Sequence, residues 1–265
     1  MSQKWRGHVG LISPTYRGKV FAFWYKNLPT GVECSTTTIG FATGDKQTFG
    51  VDKSFQRAEE IAAELCAVGC EIITIPGSPP FILQGPEYEH AWRRRLEEKR
   101  GVPVVTGMAP HAVAAKAMGI KRIALATYFG DELNNGITSY FTAQGIESEI
   151  IPGYSFSGQG EGLYTTPMRA LDWVSDEDVY QHCKRGMKKL KGKVDGLYIN
   201  GGGWDAAPAV EPLEKDLGIP VIWAIAAEMW LTYSLLEVGE PILGHGTILS
   251  DSQLRRSEEV EKWET

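Results

Sequence analysis

Short apolar runs alternate along this chain with longer amphipathic stretches, and that alternation restricts the fold more than any other feature. The runs lie at His8–Ser13, Ser35–Gly40, Glu71–Pro76, Val102–Thr106, Arg122–Thr127, Glu147–Pro152, Gly196–Asn200 and Val221–Ala224. Most are continuously apolar over a strand's length, the mark of parallel strands covered on both faces. Between them, helices are expected over Ser54–Val68, Tyr88–Lys99, His111–Met118, Asp131–Gln144, Asp176–Lys189, Ala207–Leu217 and Ala226–Val238. Phe55, Ile61, Leu65 and Val68 fall at helical spacing in the first of these, and Asp176 is placed to cap the fifth. Such βαβα order predicts an α/β fold with parallel sheets and right-handed crossovers.

The chain's 265 residues are many for one simple domain and enough for two lobes sharing a cleft. Gly101-Val-Pro-Val is echoed by Gly218-Ile-Pro-Val, each after a helix ending in charged residues and each opening a strand. The echo suits two similar lobes. One is expected over roughly 1–115, completed by the last strand and helix within 221–265, and the other over roughly 116–220. Between the carboxyl ends of their strands lies the place where ligands bind in open α/β folds.

Apolar residues at 43% and charged residues at 23% describe an ordinary globular protein. With 33 acidic against 27 basic residues and a net charge of −6, nucleic acid is not expected as the main partner. The basic run from Lys184 to Lys193 reads as a solvated helix face. No segment suits a signal peptide or a membrane span, so a cytoplasmic location is expected. Cys34, Cys66, Cys70 and Cys183 fit neither a zinc nor a disulfide pattern, and no three of the five histidines have metal-site spacing.

Four strand ends carry the chemistry-bearing residues. Ser13-Pro14-Thr15-Tyr16-Arg17-Gly18 offers two hydroxyls, a phenol and a guanidinium, or is simply a capped turn. In Pro76-Gly77-Ser78-Pro79-Pro80-Phe81, Gly77 permits close approach and Ser78 offers a hydroxyl and an amide, while the prolines stiffen the loop. Thr127-Tyr128-Phe129-Gly130-Asp131 leads into a helix whose N-terminus favours a bound anion, with Asp131 as its cap. Asn200-Gly201-Gly202-Gly203-Trp204-Asp205 presents consecutive amides as an anion nest, at a spacing that is neither a dinucleotide fingerprint nor a Walker loop. Trp204 and Trp223 suggest an aromatic or flat substrate; packing between lobes explains them equally well.

Taken with these loops, the stretches Gly101–Asn134 and Asp195–Val221, the opening Val9-Gly-Leu-Ile-Ser-Pro14 and Trp230 resemble the arylmalonate decarboxylase and maleate isomerase branch of the aspartate/glutamate racemase superfamily. The resemblance covers nearly the whole chain. It implies two Rossmann-like lobes with the active site between them, no metal and no organic cofactor. By that resemblance Gly77 and Ser78 hold a substrate carboxylate and Gly202 supplies a backbone donor. A tyrosine is expected in the third loop, where a gapless match gives Phe129 and leaves Tyr128 one position early. The thiol that protonates the enediolate in the decarboxylases falls at Gly201, and the second thiol of the racemases and isomerases falls at Pro76 or Gly77. Both thiol positions are therefore empty, and another acid or base has to serve.

The function expected is that of a cofactor-independent lyase or isomerase acting on a small carboxylate. Tyr128, Asp205 and Tyr16 are the candidate catalytic groups, with Glu228 behind them. Ser13, Pro14, Thr15, Gly77, Ser78, Phe129, Asn200, Gly201, Gly202, Trp204 and Trp223 are the candidate binding residues. A hydrolase using Asp205 or Glu228 to activate water, and a non-catalytic carboxylate binder, are the alternatives. A homo-oligomer is left open.

Overall fold

A computed structural model describes residues 5–40, 51–154 and 168–264. The first sheet contains β1 (Gly7–Ser13), β2 (Val32–Thr38), β3 (Ile72–Thr74) and β4 (Val104–Val105), in the order β2-β1-β3-β4. The second contains β5 (Arg122–Ala126), β6 (Glu147–Ile150), β7 (Gly196–Ile199) and β8 (Val221–Trp223), in the order β6-β5-β7-β8. Every pairing is parallel. The two sheets have the same connectivity, so β1 corresponds to β5, β3 to β7 and β4 to β8.

Helices α1 (Gly18–Lys26), α2 (Val51–Ala67), α3 (Ser78–Gln84) and α4 (Pro86–Arg100) belong to the first half, and α5 (Ala109–Ala117) leads to the second. There α6 (Asp131–Ala143), α7 (Asp176–Met187) and α8 (Ala207–Leu217) connect the strands, and α9 (Ala224–Leu235), α10 (Thr247–Ser250) and α11 (Glu258–Glu264) close the chain. All seven residues of β1 are buried, as expected of a strand covered on both faces. Eleven of the twelve residues of α9 are buried, from Ala224 to Ser234, as its all-round apolar sequence requires.

The equivalence of β4 and β8 corrects the expected lobe boundary. Val221–Trp223 pairs with β7 and completes the second sheet rather than the first lobe. Only the following helix returns: α9 packs on β3 and β4, and Thr232 meets Thr74 hydroxyl to hydroxyl at 2.8 Å. Gly101 and Gly218, which open the two echoed segments, both end a helix in the left-handed conformation just before an edge strand.

Four helices lie outside the expected set: α1, α3, which falls on an expected loop, and the short α10 and α11. In α1, Val20, Phe23 and Trp24 are buried at helical spacing. In α3 the prolines do not form a turn but occupy the first helical positions, where a missing N–H costs nothing. The caps differ as well. Ser175 rather than Asp176 caps α7, in a capping box with Asp178. Asp131 lies in the first turn of α6 after Gly130 and makes no cap hydrogen bond. Among the described residues no helix is long and apolar enough to cross a membrane.

Candidate active site

In each sheet the connection from the second strand to the third passes over the first, so the order reverses between β1 and β3 and between β5 and β7. The crevice at such a reversal, outside the carboxyl ends of the strands, is the natural ligand site. All four unusual loops follow these four strands. They enclose a cleft of about 520 Å³, counting its open mouth, lined by Ser13, Pro14, Thr15, Arg17, Val20, Pro76, Gly77, Ser78, Pro79, Tyr128, Phe129, Gly201, Gly202, Gly203 and Ile225.

The β3 and β7 loops touch across the cleft. The Ser78 hydroxyl donates to Asn200 Oδ1 at 2.9 Å, both residues being buried. Gly77 has φ 111°, a region open to glycine, and a Cβ there would stand 2.6 Å from Pro14. Beneath Gly77 lies Glu228, whose carboxyl is driven well above its ordinary range by burial; the Gly77 amide facing it opposes the shift in part. His111 Nε2 lies 3.4 Å from Glu228 Oε1, and His111 Nδ1 lies 2.7 Å from the Tyr198 hydroxyl. Burial pushes the His111 imidazole down to about 3 and the Glu228 carboxyl up, so it favours the neutral form of both partners in this contact. Glu89 is a second wholly buried carboxyl, also raised by burial; it accepts from the amides of Met108 and Ala109 at the start of α5 and from the Tyr140 hydroxyl.

The β5 and β7 loops are joined by Tyr128. Its hydroxyl accepts from the Gly203 amide at 3.0 Å, and its ring stands edge-on to Trp204 with centroids 5.1 Å apart. Gly201 has φ 104°, and a Cβ there would lie 2.2 Å from Tyr128 Cε1 and 2.5 Å from its hydroxyl oxygen. The phenol thus fills the space in which any side chain at 201 would begin. The amides of Gly201 and Gly202 have no hydrogen-bond partner among the described residues, whereas that of Gly203 is taken by Tyr128. Two donors of the expected nest therefore remain for an anion. Asn134 fixes the β5 loop, donating to the Phe129 carbonyl at 3.0 Å and accepting from the Thr127 hydroxyl at 2.5 Å.

Of the residues singled out in the sequence, Ser13, Pro14, Thr15, Gly77, Ser78, Tyr128, Phe129, Gly201 and Gly202 come together in the cleft lining. Asn200 stands behind Ser78. Five others do not line the cleft. Tyr16 is 68% exposed and its hydroxyl lies against Gly40. Asp205 accepts from the Ala207 amide at 3.3 Å, at the start of α8. Trp204 is wholly buried and supports Tyr128, and Trp223 packs edge-on to Phe23 at 4.8 Å, which removes the argument for a flat aromatic substrate. Glu228 also stays below the surface of the cleft. Val20 and Ile225 were not foreseen as lining residues, since both read as ordinary core positions. None of the four cysteines lines the cleft; burial pushes the Cys34 and Cys183 thiols up to about 12 and raises that of Cys66. The described residues contain no group of three or more His, Cys, Asp or Glu side chains that could hold a metal ion.

Comparison with known proteins gives this geometry its relatives. The arylmalonate decarboxylase of Bordetella bronchiseptica is 23% identical over 245 residues, covering 92% of this chain and 97% of that protein. A maleate isomerase of Geobacillus stearothermophilus is 22% identical over 204 residues, covering 75% of this chain and 76% of its own. Among solved structures, that of an arylmalonate decarboxylase superposes with a TM-score of 0.76 at 22% identity, over 91% of this chain and 98% of the other. The maleate isomerase of Pseudomonas putida S16 gives 0.76 at 17% identity, over 93% and 99%. These two structures share the fold. The arylmalonate decarboxylase profile itself matches residues 9–249, from β1 through α10 and across all four loops of the cleft, and the chain belongs to the arylmalonate decarboxylase family.

Proposed function

We propose that this protein is a cofactor-independent enzyme acting on a small carboxylate, of the decarboxylase or isomerase kind, with Tyr128 in place of a thiol as its proton carrier. The observation that carries the reading is the position of the phenol: it occupies the space above Gly201, and Tyr128 lines the cleft together with Ser78 and the glycine loop. A proton donor there stands beside the amides of Gly201 and Gly202 and across from the Ser78 hydroxyl. In a decarboxylation, the electrons of the breaking carbon–carbon bond pass to the remaining carboxyl as an enediolate. Fixed donors aimed at that oxygen lower the barrier, because they need no reorganisation when charge develops. The phenol gives its proton to the carbon, and water restores it. The Gly203 amide holds the phenol oxygen in place for the transfer.

The two acids a hydrolase would use are otherwise engaged. Asp205 binds the first amide of α8, and Glu228 is buried beneath Gly77, out of reach of a water in the cleft. This favours lyase or isomerase chemistry over hydrolysis.

The test compares Tyr128→Phe with Asp205→Asn, measuring turnover and binding separately over a panel of malonates and maleate, with deuterium incorporation in heavy water as a second readout. Tyr128→Phe is expected to lose turnover about 10²-fold or more while binding survives, the signature of a proton carrier. Asp205→Asn is expected to keep most of it. Near-normal turnover in Tyr128→Phe overturns the assignment.

A further inference from the structure

The cleft has one charged side chain among its described lining residues, and the mechanism above does not use it. Arg17 ends the turn between β1 and α1, in the first half of the chain, yet its guanidinium reaches the second half. Its Nη2 donates to Asp172 Oδ1 at 2.5 Å and to the Gly203 carbonyl at 3.3 Å. Lys19, two residues on, reaches the Leu171 carbonyl of the same segment at 3.5 Å. The guanidinium is sheltered, with 17% of the side chain exposed, whereas the Asp172 side chain is 62% exposed.

We propose that Arg17 selects acids carrying a second anionic group, and that Asp172 is an internal counter-ion which that group displaces. The inference rests on the carboxylate-cleft reading above and adds to it the determinant of charge. Asp172 is well hydrated, so parting it from Arg17 costs little, and a carboxylate brought into the sheltered cleft is a stronger partner for the planar guanidinium fork. Position also favours it. Gly203 accepts from Arg17 through its carbonyl and donates to the Tyr128 hydroxyl through its amide, at 3.3 and 3.0 Å. One residue therefore sets the spacing between the guanidinium and the proposed proton carrier, and the acid that spans it is a small one. The rest of the described lining is uncharged, so among the described residues Arg17 is the one that distinguishes a doubly from a singly charged ligand of equal length.

The experiment uses two unreactive probes of equal chain length, succinate and butyrate, titrated calorimetrically into the intact protein and into Arg17→Gln and Asp172→Asn. The unaltered protein is expected to bind succinate at least about tenfold more tightly than butyrate, from one charge-assisted bidentate contact. Arg17→Gln is expected to erase that preference, with butyrate losing far less than succinate. Asp172→Asn is expected to tighten succinate several-fold by removing its competitor. A preference retained in Arg17→Gln, or a parallel loss of both probes in a variant whose circular dichroism is unchanged, overturns the role of Arg17. Weaker succinate binding in Asp172→Asn overturns the counter-ion role. If the unaltered protein binds both probes equally, the Arg17 assignment fails while the carboxylate cleft stands; if it binds neither, the cleft reading fails and takes this inference with it.

Discussion

Replacing Gly201 by alanine tests the packing on which the proton-carrier assignment depends. The backbone there has φ 104°, and the new Cβ would stand 2.2 Å from Tyr128 Cε1. Holding a non-glycine residue in that conformation costs about 1–3 kcal/mol. Relieving the overlap means moving the phenol by an ångström or more, against Phe129 with ring centroids at 4.8 Å and Trp204 at 5.1 Å; overpacking of this kind adds about 1–3 kcal/mol. Gly201→Ala is therefore expected to destabilise the protein by about 2–6 kcal/mol in urea unfolding, a large share of the stability of a domain. Tyr128→Ala alone is expected to cost about 3–5 kcal/mol by opening a cavity. Combined, the two should cost less than their sum by about 1–3 kcal/mol, because the overlap disappears while the backbone strain stays. A Gly201→Ala effect below about 0.5 kcal/mol, or strict additivity in the double variant, refutes the claim that the phenol fills this space. The same geometry predicts that Gly201→Cys alone yields no working thiol, and that the introduced sulfur is alkylated readily only when Tyr128 is also shortened.

Two further outcomes follow from the buried groups. Replacing Cys34, Cys66, Cys70 and Cys183 together by alanine should leave turnover within about twofold once folding is verified, since no thiol lines the cleft; stoichiometric inactivation by an alkylating reagent traced to one cysteine would contradict this. His111 has its pKa lowered from 6.5 to about 3 by burial, so as pH falls below 6.5 the unfolded chain takes up a proton that the folded chain refuses. Its stabilising contribution is present above pH 6.5 and drains away toward pH 3, about 3 kcal/mol of it by pH 4, and His111→Gln should flatten the stability profile over that window as measured by urea unfolding at each pH.

The inner strands were legible because a strand buried on both faces has to be apolar along its length, as β1, β3, β5 and β7 are; the edge strands β2 and β6 are polar and part-exposed and were placed by their position in the alternation. Four helices were not, and for α1 and α3 the reasons are opposite. Pro79 and Pro80 are strong local signals, yet the same residues serve a turn and the first turn of a helix, and only the burial of Phe81 and Ile82 against the core decides between them. In α1 the signal was present in Val20, Phe23 and Trp24 but lay directly behind a loop read for its chemistry. The Gly101 and Gly218 echo marks equivalent glycine caps before equivalent edge strands, in keeping with Val221–Trp223 completing the second sheet as Val104–Val105 completes the first.

The site was legible to the level of loops and not to the level of side chains. Chain reversal at β1, β3, β5 and β7 fixes which loops meet, and topology follows from the order of strands. Which way each side chain points does not, because neighbours on a loop face opposite ways. Tyr16 thus turns outward while Arg17 turns in, and Trp204 packs beneath the loop whose glycines face the cleft. Gly201 is the most instructive position. In sequence it reads as a lost thiol, a subtraction that argues against function. In the fold, Tyr128 comes from a different strand to stand over it, and the glycine becomes the condition for the phenol's place. Neither residue signals this alone, since a glycine in a glycine run and a tyrosine after an apolar strand are both commonplace. Only their contact carries the information, so the absence of a family's catalytic side chain is evidence of lost chemistry only after the space it vacated has been found empty.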